Sequence, residues 1–285
     1  MMYEIIKVLN NNTILAKKDN LEVIVMYKGI GFAKKTGDLL EIPSQAKKYF
    51  MQKNNSSQSR FDHIMEYIDP LYLEISDEIL KIANDKFAKK GQKVDYSILL
   101  PLADHIFFTI KRMHENIMPS NPFIYDIQLL FPDEYDVALQ AREVIKKHVS
   151  MTINNDEVGF ITLHIHSAIS SHKVGESMEA TRTIHEQILQ LQKDLNIEID
   201  VQSISYVRLM NHIKFLIIRM NTDEKLQMDI SEFTKEKFPF AYEQACRMCD
   251  ALSKALKKEL PETEVGYLAL HLERILSSTV YAGHS

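Results

Sequence analysis

Two stretches of this sequence repeat each other at a fixed distance, and they decide the fold of most of the chain. Residues 157–165 read EVGFITLHI and residues 264–272 read EVGYLALHL, an offset of 107. Residues 104–113 (DHIFFTIKRM) and 211–220 (NHIKFLIIRM) match at the same offset, so no insertion separates the two matches. A constant offset is typical of a duplicated module, here of about 105 residues.

The duplicated part has the apolar spacing of helices. Ile98, Leu102, Ile106 and Ile110 recur at four, and similar runs follow along the chain, while Gly and Pro are sparse and lie between them. We therefore expect two all-α helical bundles, one over 65–171 and one over 172–280.

The N-terminal part alternates apolar and polar residues with period two, which is typical of strands. Four short strands are expected near residues 5–8, 14–16, 23–25 and 39–42, with asparagines and glycines between them. We predict a small antiparallel β-sheet domain over 1–56 and a polar linker over 57–64. Because so small a sheet buries little surface, we expect it to pair with a second copy as a homodimer.

Composition excludes several classes of protein. Of 285 residues, 45% are hydrophobic and 26% charged, the balance of a globular chain rather than a disordered one. No apolar run approaches the roughly 20 residues that cross a bilayer, and Glu4 and Lys7 interrupt any signal peptide. Two cysteines, Cys246 and Cys249, allow no disulfide framework, and their helical spacing favours core packing over redox or zinc chemistry. We expect a cytoplasmic protein without membrane insertion.

Charge is distributed unevenly along the chain. Residues 1–60 hold ten basic and five acidic side chains, a net of +5, whereas the whole chain carries −5. A polyanionic partner would therefore approach the N-terminal part. A solvated surface with scattered lysines is the alternative interpretation.

Each module contains two histidines 59 residues apart, His105 and His164 in the first and His212 and His271 in the second. Each lies at the edge of an apolar stripe, so a packing histidine is one interpretation. Their recurrence among neighbours that differ favours a chemical role: metal binding, acid/base catalysis or phosphoryl acceptance. Close additional metal ligands and convergent carboxylates are not evident in the sequence, which favours phosphoryl acceptance by a neutral imidazole. We expect no metal and no cofactor.

Six motifs in order together resemble the BglG/LicT/SacY family of bacterial antiterminators, over residues 2 to about 277. They are KVLNNN at 7–12, VMYKGIGF at 25–32, DHI at 104–106, GFITLHI at 159–165, HIKF at 212–215 and LHLER at 270–274. The resemblance implies a dimeric RNA-binding domain followed by two phosphotransferase-system (PTS) regulation domains. It implies no catalytic residues. It also implies binding to a leader-mRNA hairpin that overlaps an intrinsic terminator, with read-through into sugar-utilisation genes.

The resemblance also assigns roles to residues. The expected RNA contacts are Lys7, Asn10, Asn12, Lys28, Gly29 and Phe32. Tyr27 departs from the family pattern, in which glycine is frequent at that position.

The expected phosphorylation sites are the four duplicated histidines, with Arg112, Arg219 and Arg274 as candidates to meet the phosphates. Phosphoryl donors would be HPr and a sugar-specific PTS permease (enzyme II). A histidine- or metal-dependent enzyme and a PTS-regulated DNA-binding activator remain as alternatives.

Overall fold

The computed structural model describes residues 2–19, 21–50, 68–170, 173–222, 224 and 226–282. Within these residues, a five-stranded sheet is followed by ten α-helices. The strands are β1 (Met2–Asn10), β2 (Thr13–Lys18), β3 (Leu21–Met26), β4 (Leu39–Glu41) and β5 (Lys47–Phe50). The helices are α1 (Pro70–Ala88), α2 (Leu99–His114), α3 (Ile124–Leu130), α4 (Pro132–Val149), α5 (Asn155–Ile169), α6 (Val174–Leu195), α7 (Ile204–Thr222), α8 (Ser231–Lys237), α9 (Pro239–Leu256) and α10 (Glu262–Ala282). The predicted linker over 57–64 lies outside the described residues.

The sheet is antiparallel with the order β4-β1-β2-β3-β5. The expected small N-terminal sheet is therefore confirmed. The expectation of four strands was wrong, because β5 also pairs with β3 along the edge. Its sequence, KKYF, begins with two lysines and lacks the alternation that marked the other strands.

One face of the sheet has its own apolar core. Ile5, Ile14, Val23 and Val25 are completely buried there, and the connection between β3 and β5 contributes Ile30 among others. Alternation at period two brings these side chains to one face.

The other face contacts α1 and the 3-10 turn that precedes α2. Tyr49 of β5 stacks on Tyr96, with ring centroids 5.6 Å apart, in the 3-10 turn before α2. The buried carboxylate of Asp77 on α1 accepts hydrogen bonds from the Tyr49 hydroxyl and from Lys47, and pairs with Lys81 at 2.6 Å. Burial alone would raise the pKa of Asp77, but the hydrogen bonds from Lys47, Lys81 and Tyr49 together lower it. The sheet is thus joined to α1 by a charged, fully partnered network.

The described residues form two compact units. One contains residues 1–119 and 137–170, and the other contains residues 120–136 and 171–285. The helix α3 therefore belongs to the second unit, where buried Asp126 accepts the Tyr206 hydroxyl at 2.6 Å and lies 2.8 Å from His185 Nδ1. Its counterpart in the repeat, α8, packs on α9 and α10.

Candidate functional site

The loop surface, defined as Lys7, residues 10–12 and residues 27–32, joins two connections of the sheet. The Asn12 side-chain oxygen accepts the Gly29 backbone N–H at 2.9 Å, and the Asn12 carbonyl accepts the Tyr27 N–H at 2.8 Å. The Gly31 N–H donates to the Asn11 carbonyl at 3.0 Å. These bonds hold the two loops as one surface.

Two glycines are required by the backbone of this surface. Gly29 has a φ of +78°, a backbone conformation that residues other than glycine adopt only at a cost in free energy. A Cβ on Gly31 would lie 2.1 Å from the Asn10 carbonyl oxygen. Glycine at 31 therefore permits the close approach of the two loops.

The structure leaves most of the expected RNA-contacting residues accessible. Lys7, Lys28 and Gly29 are exposed, and the Phe32 ring is 68% exposed, which is unusual for so large an apolar side chain. Tyr27 is also exposed, so an additional aromatic ring lies on the same loop.

Two expected contacts are already engaged within the protein. The side-chain oxygen of Asn12 accepts the Gly29 N–H within the protein. Asn10 is half-buried, and its amide nitrogen donates to Glu74 Oε1 of α1 at 3.3 Å. Nothing in the sequence pattern indicated the contact with Glu74, because it joins residues 64 positions apart.

The first histidine site lies between α2 and α5 and contains His105, Thr109, Arg112, Glu157 and His164. The two imidazole rings are 4.9 Å apart between centroids. His105 Nε2 lies 3.1 Å from Glu157 Oε2, and Arg112 Nη2 donates to Glu157 Oε1 at 2.8 Å. Thr109 donates its hydroxyl to Glu157 Oε2 at 2.9 Å.

Glu157 is positioned by the start of its helix. Asn154 caps α5 by accepting the Glu157 N–H at 2.9 Å, so Glu157 lies in the first turn. Burial would raise the pKa of Glu157, but hydrogen bonds from His105 and Arg112 outweigh it and lower the pKa to about 2. The carboxylate is therefore ionised at any cellular pH.

The second histidine site repeats this arrangement between α7 and α10 and contains His212, Leu216, Arg219, Glu264 and His271. The rings of His212 and His271 are 4.8 Å apart between centroids. Arg219 donates to Glu264 through both Nε and Nη2, each at 2.7 Å. His212 Nε2 lies 3.6 Å from Glu264 Oε2, too far for a hydrogen bond.

The electrostatics of both sites keep histidines neutral. Burial lowers the pKa of His164 to about 3, with a further effect from His105. Burial and the neighbouring His271 and Arg219 lower the pKa of His212 to about 3. The pKa of His271 is lowered by burial and by Arg274 and Arg208. A neutral imidazole keeps a nitrogen lone pair, the form that attacks phosphorus.

Comparisons with known proteins identify the domains of the chain. Residues 3–59 match the model of the CAT RNA binding domain, and residues 77–168 and 185–275 each match the model of the PRD domain. This chain belongs to the CAT–PRD family of antiterminators. The first and second histidine sites are thus in the first and second PRD domains.

Relatives of this chain include named antiterminators. Protein GlcT of Staphylococcus haemolyticus is 32% identical, over 95% of each chain. The PtsGHI operon antiterminator of Bacillus subtilis is 31% identical, over 94% of this chain and 95% of that one. The GlcA/glcB genes antiterminator of Staphylococcus carnosus is 31% identical, over 95% and 94%. A crystal structure of GlcT CAT-PRDI is 32% identical, has a TM-score of 0.49, and covers 60% of this chain and 99% of that one. Two of these relatives are named as antiterminators.

Sequence reasoning did not include the carboxylates of the two PRD sites. Glu157 and Glu264 begin the repeated nonapeptides, so their identity in both copies was a signal. Arg112 and Arg219, expected to meet phosphate, instead bind these carboxylates. The exposed Arg274 lies close enough to His271 to lower its pKa.

Other chemistry considered from the sequence has little support in the geometry. Burial raises the pKa of the Cys249 thiol to about 12 and also raises that of Cys246, which opposes thiolate chemistry. Within the described residues, no cluster of three or more histidine, cysteine, aspartate or glutamate side chains is arranged to hold a metal ion. None of the helices in that part of the chain is long and apolar enough to cross a membrane.

Proposed function

We propose that this chain is a cytoplasmic transcriptional antiterminator. Its CAT domain binds a leader-mRNA hairpin that overlaps an intrinsic terminator, and binding permits read-through into sugar-utilisation genes. PTS-dependent phosphorylation of the two PRD domains controls this activity. The observation that carries the proposal is Phe32, a 68% exposed ring on a loop surface held by internal hydrogen bonds, within the segment that matches the CAT RNA binding domain.

The loop surface has the chemistry that single-stranded RNA requires. RNA loops and bulges present unstacked bases that stack on aromatic rings and bind side-chain amides, while cations neutralise phosphates. Phe32 supplies the ring, the Asn12 amide nitrogen supplies a donor, and exposed Lys7 and Lys28 supply charge. Gly29 lets the backbone approach the RNA, and Asn10 becomes a contact when it leaves Glu74.

The histidine sites have the chemistry of phosphoryl acceptance. A lone pair on a neutral imidazole nitrogen of His105, His164, His212 or His271 forms the new N–P bond, and the donor's bond to phosphorus breaks. The donors in this proposal are HPr and a sugar-specific PTS permease (enzyme II). The chain is then the substrate of the transfer rather than an enzyme. Phosphate on the first PRD domain switches the protein off, and phosphate on the second switches it on.

The domain partition belongs to the same proposal: a dimeric CAT domain over 1–56, a linker over 57–64, and PRD domains over 65–171 and 172–280. The matched ranges 3–59, 77–168 and 185–275 support this order. A phosphoryl group adds nearly two negative charges, enough to repack charged contacts inside a PRD domain or at its surfaces.

An RNA gel shift with the full chain tests the proposal. Because one relative is named the PtsGHI operon antiterminator, the first probe is the leader hairpin of a ptsGHI-type operon from the same organism. We expect binding that a scrambled hairpin does not compete for. Phe32→Ala removes one base-stacking contact and should weaken binding by about 1–3 kcal/mol, or about 5- to 150-fold. Equal affinity for the hairpin and its scrambled form would contradict the RNA assignment.

A further inference from the structure

The two PRD domains use the same three side chains, histidine, glutamate and arginine, in two different arrangements. In the first domain, Glu157 contacts both partners: its Oε2 lies 3.1 Å from His105 Nε2, and its Oε1 lies 2.8 Å from Arg112 Nη2. The Nε of Arg112 is then buried without a hydrogen-bond partner among the described residues.

In the second domain the equivalent glutamate, Glu264, makes its hydrogen bonds to the arginine and not to the histidine. Glu264 accepts from both Nε and Nη2 of Arg219. Among the described residues, His212 Nε2 has no hydrogen-bond partner here, whereas Nδ1 of the other histidine (His164 or His271) has none in either domain. The two sites thus differ at two groups: the arginine Nε is paired only in the second domain, and the Nε2 of the first histidine has a polar contact at hydrogen-bond distance only in the first.

One residue at the site differs in a way that explains the difference. The buried Thr109 hydroxyl donates to Glu157 Oε2, accepts from Arg112 Nη2 at 3.1 Å, and lies 3.5 Å from His105 Nε2. The equivalent position of the repeat, 107 residues later, is occupied by Leu216, which is buried and has no hydroxyl. A buried hydroxyl bound to a charged carboxylate favours one carboxylate position strongly.

We propose that Thr109 is a positioning residue that keeps Glu157 on His105 and thereby blocks the Nε2 of that ring. Since Glu157 is an anion and the Thr109 hydroxyl gives its own proton to Glu157, both polar neighbours of Nε2 act as acceptors toward it, so a ring with a single proton carries that proton on Nε2 and its lone pair on Nδ1. Phosphorylation at Nε2 then requires Glu157 to move to the unpaired Nε of Arg112. The second domain shows the geometry of that moved state.

This inference rests on the proposed phosphorylation of His105, so its test uses two measurements, one of which involves no phosphoryl transfer. The first records ¹⁵N spectra of the histidine-labelled full chain at pH 7.5, with the His105 signals assigned by their loss in His105→Gln. We expect wild-type His105 to be the Nε2–H tautomer. In Thr109→Val, which keeps the side-chain shape and removes the hydroxyl, this preference should fall; Thr109→Ser should restore it. A wild-type ring protonated at Nδ1 instead would overturn the proposal without any variant.

The second measurement uses phosphoramidate, which needs no protein donor. The Nε2 lone pair forms an N–P bond, the P–N bond of phosphoramidate breaks, and ammonium leaves with the imidazole proton. The amount of Nε2-phosphorylated His105, measured by ³¹P NMR and peptide mapping, is compared with the phosphorylation of the second PRD domain in the same molecules.

The variants should separate positioning from folding. Loss of the hydroxyl should raise the ratio of His105 to second-domain phosphorylation about tenfold in Thr109→Val, and Thr109→Ser should return it to the wild-type value. An unchanged ratio in a folded Thr109→Val overturns the inference. If phosphoramidate gives these results but HPr transfers no phosphate, the inference stands and the proposed PTS control fails.

Discussion

Acid should destabilise the first PRD domain through His164, and the size of the effect follows from its surroundings. The folded state holds His164 neutral, with its pKa lowered from 6.5 to about 3 by burial and by His105. The unfolded chain binds this proton as the pH falls below 6.5. Stability is therefore complete above pH 6.5 and is lost progressively between pH 6.5 and 3.

The magnitude can be worked for a change from pH 7.5 to pH 5.0. Over this interval the unfolded state gains almost one proton at His164 and the folded state gains almost none. Linkage then gives a loss of about 2 kcal/mol in the free energy of unfolding. Glu157 adds only about 0.2 kcal/mol, because it stays ionised in the folded state while the unfolded glutamate, with a pKa of 4.5, is only about a quarter protonated at pH 5.0. The pKa of His212 in the second PRD domain is also lowered to about 3, so we expect a loss of the same size there.

Urea unfolding of the full chain, followed by circular dichroism at 222 nm, measures this effect. Wild type and His164→Gln are each unfolded at pH 7.5 and 5.0. The free energy of unfolding is taken from the transition that the substitution shifts. Whatever its stability at pH 7.5, His164→Gln should lose about 2 kcal/mol less than wild type on acidification. Parallel pH dependence of the two proteins, within about 0.5 kcal/mol, would refute a neutral, enclosed His164.

Two further substitutions test the loop surface and the attachment of the sheet. Gly31→Ala places a Cβ 2.1 Å from the Asn10 carbonyl oxygen, so it should cost about 1–3 kcal/mol of stability and abolish hairpin binding in the gel shift. In the control Gly175→Ala, on a helix where nothing lies within 4 Å, hairpin binding should stay at the wild-type value and stability should not fall. Tyr49→Phe removes a buried hydrogen bond to the Asp77 carboxylate and should cost about 1.5–3 kcal/mol in urea unfolding; no loss would show that the network does not join the sheet to α1.

The sequence predicted those elements of the fold whose residues recur at a regular spacing. Alternation at two marked the first four strands, and the repeat at 107 marked the helical modules. The edge strand β5 has no such pattern: its stability comes from pairing with β3 and from Tyr49 on Tyr96 and Asp77, contacts that only the folded chain provides.

For the two PRD sites, the sequence indicated the repeated histidines and the arginines but not the carboxylates. The rings of His105 and His164 approach each other across two helices, and the repeat indicated both of them. The carboxylate between His105 and Arg112 joins residues 45 and more positions apart, so no local spacing predicts it. The Thr109 hydroxyl that binds Glu157 has no counterpart at Leu216 in the second PRD domain, and no period of the sequence indicates its contact with the carboxylate.

A transcription read-through assay tests the central claim most directly. The template carries a promoter, the ptsGHI-type leader with its terminator, and a downstream reporter segment. The purified chain is added in whichever phosphorylation state binds the hairpin in the gel shift. The account predicts that wild type raises the fraction of full-length transcripts and that Phe32→Ala does so much less. Read-through that is unchanged by the wild-type chain, or raised equally by Phe32→Ala, would contradict antitermination through the loop surface.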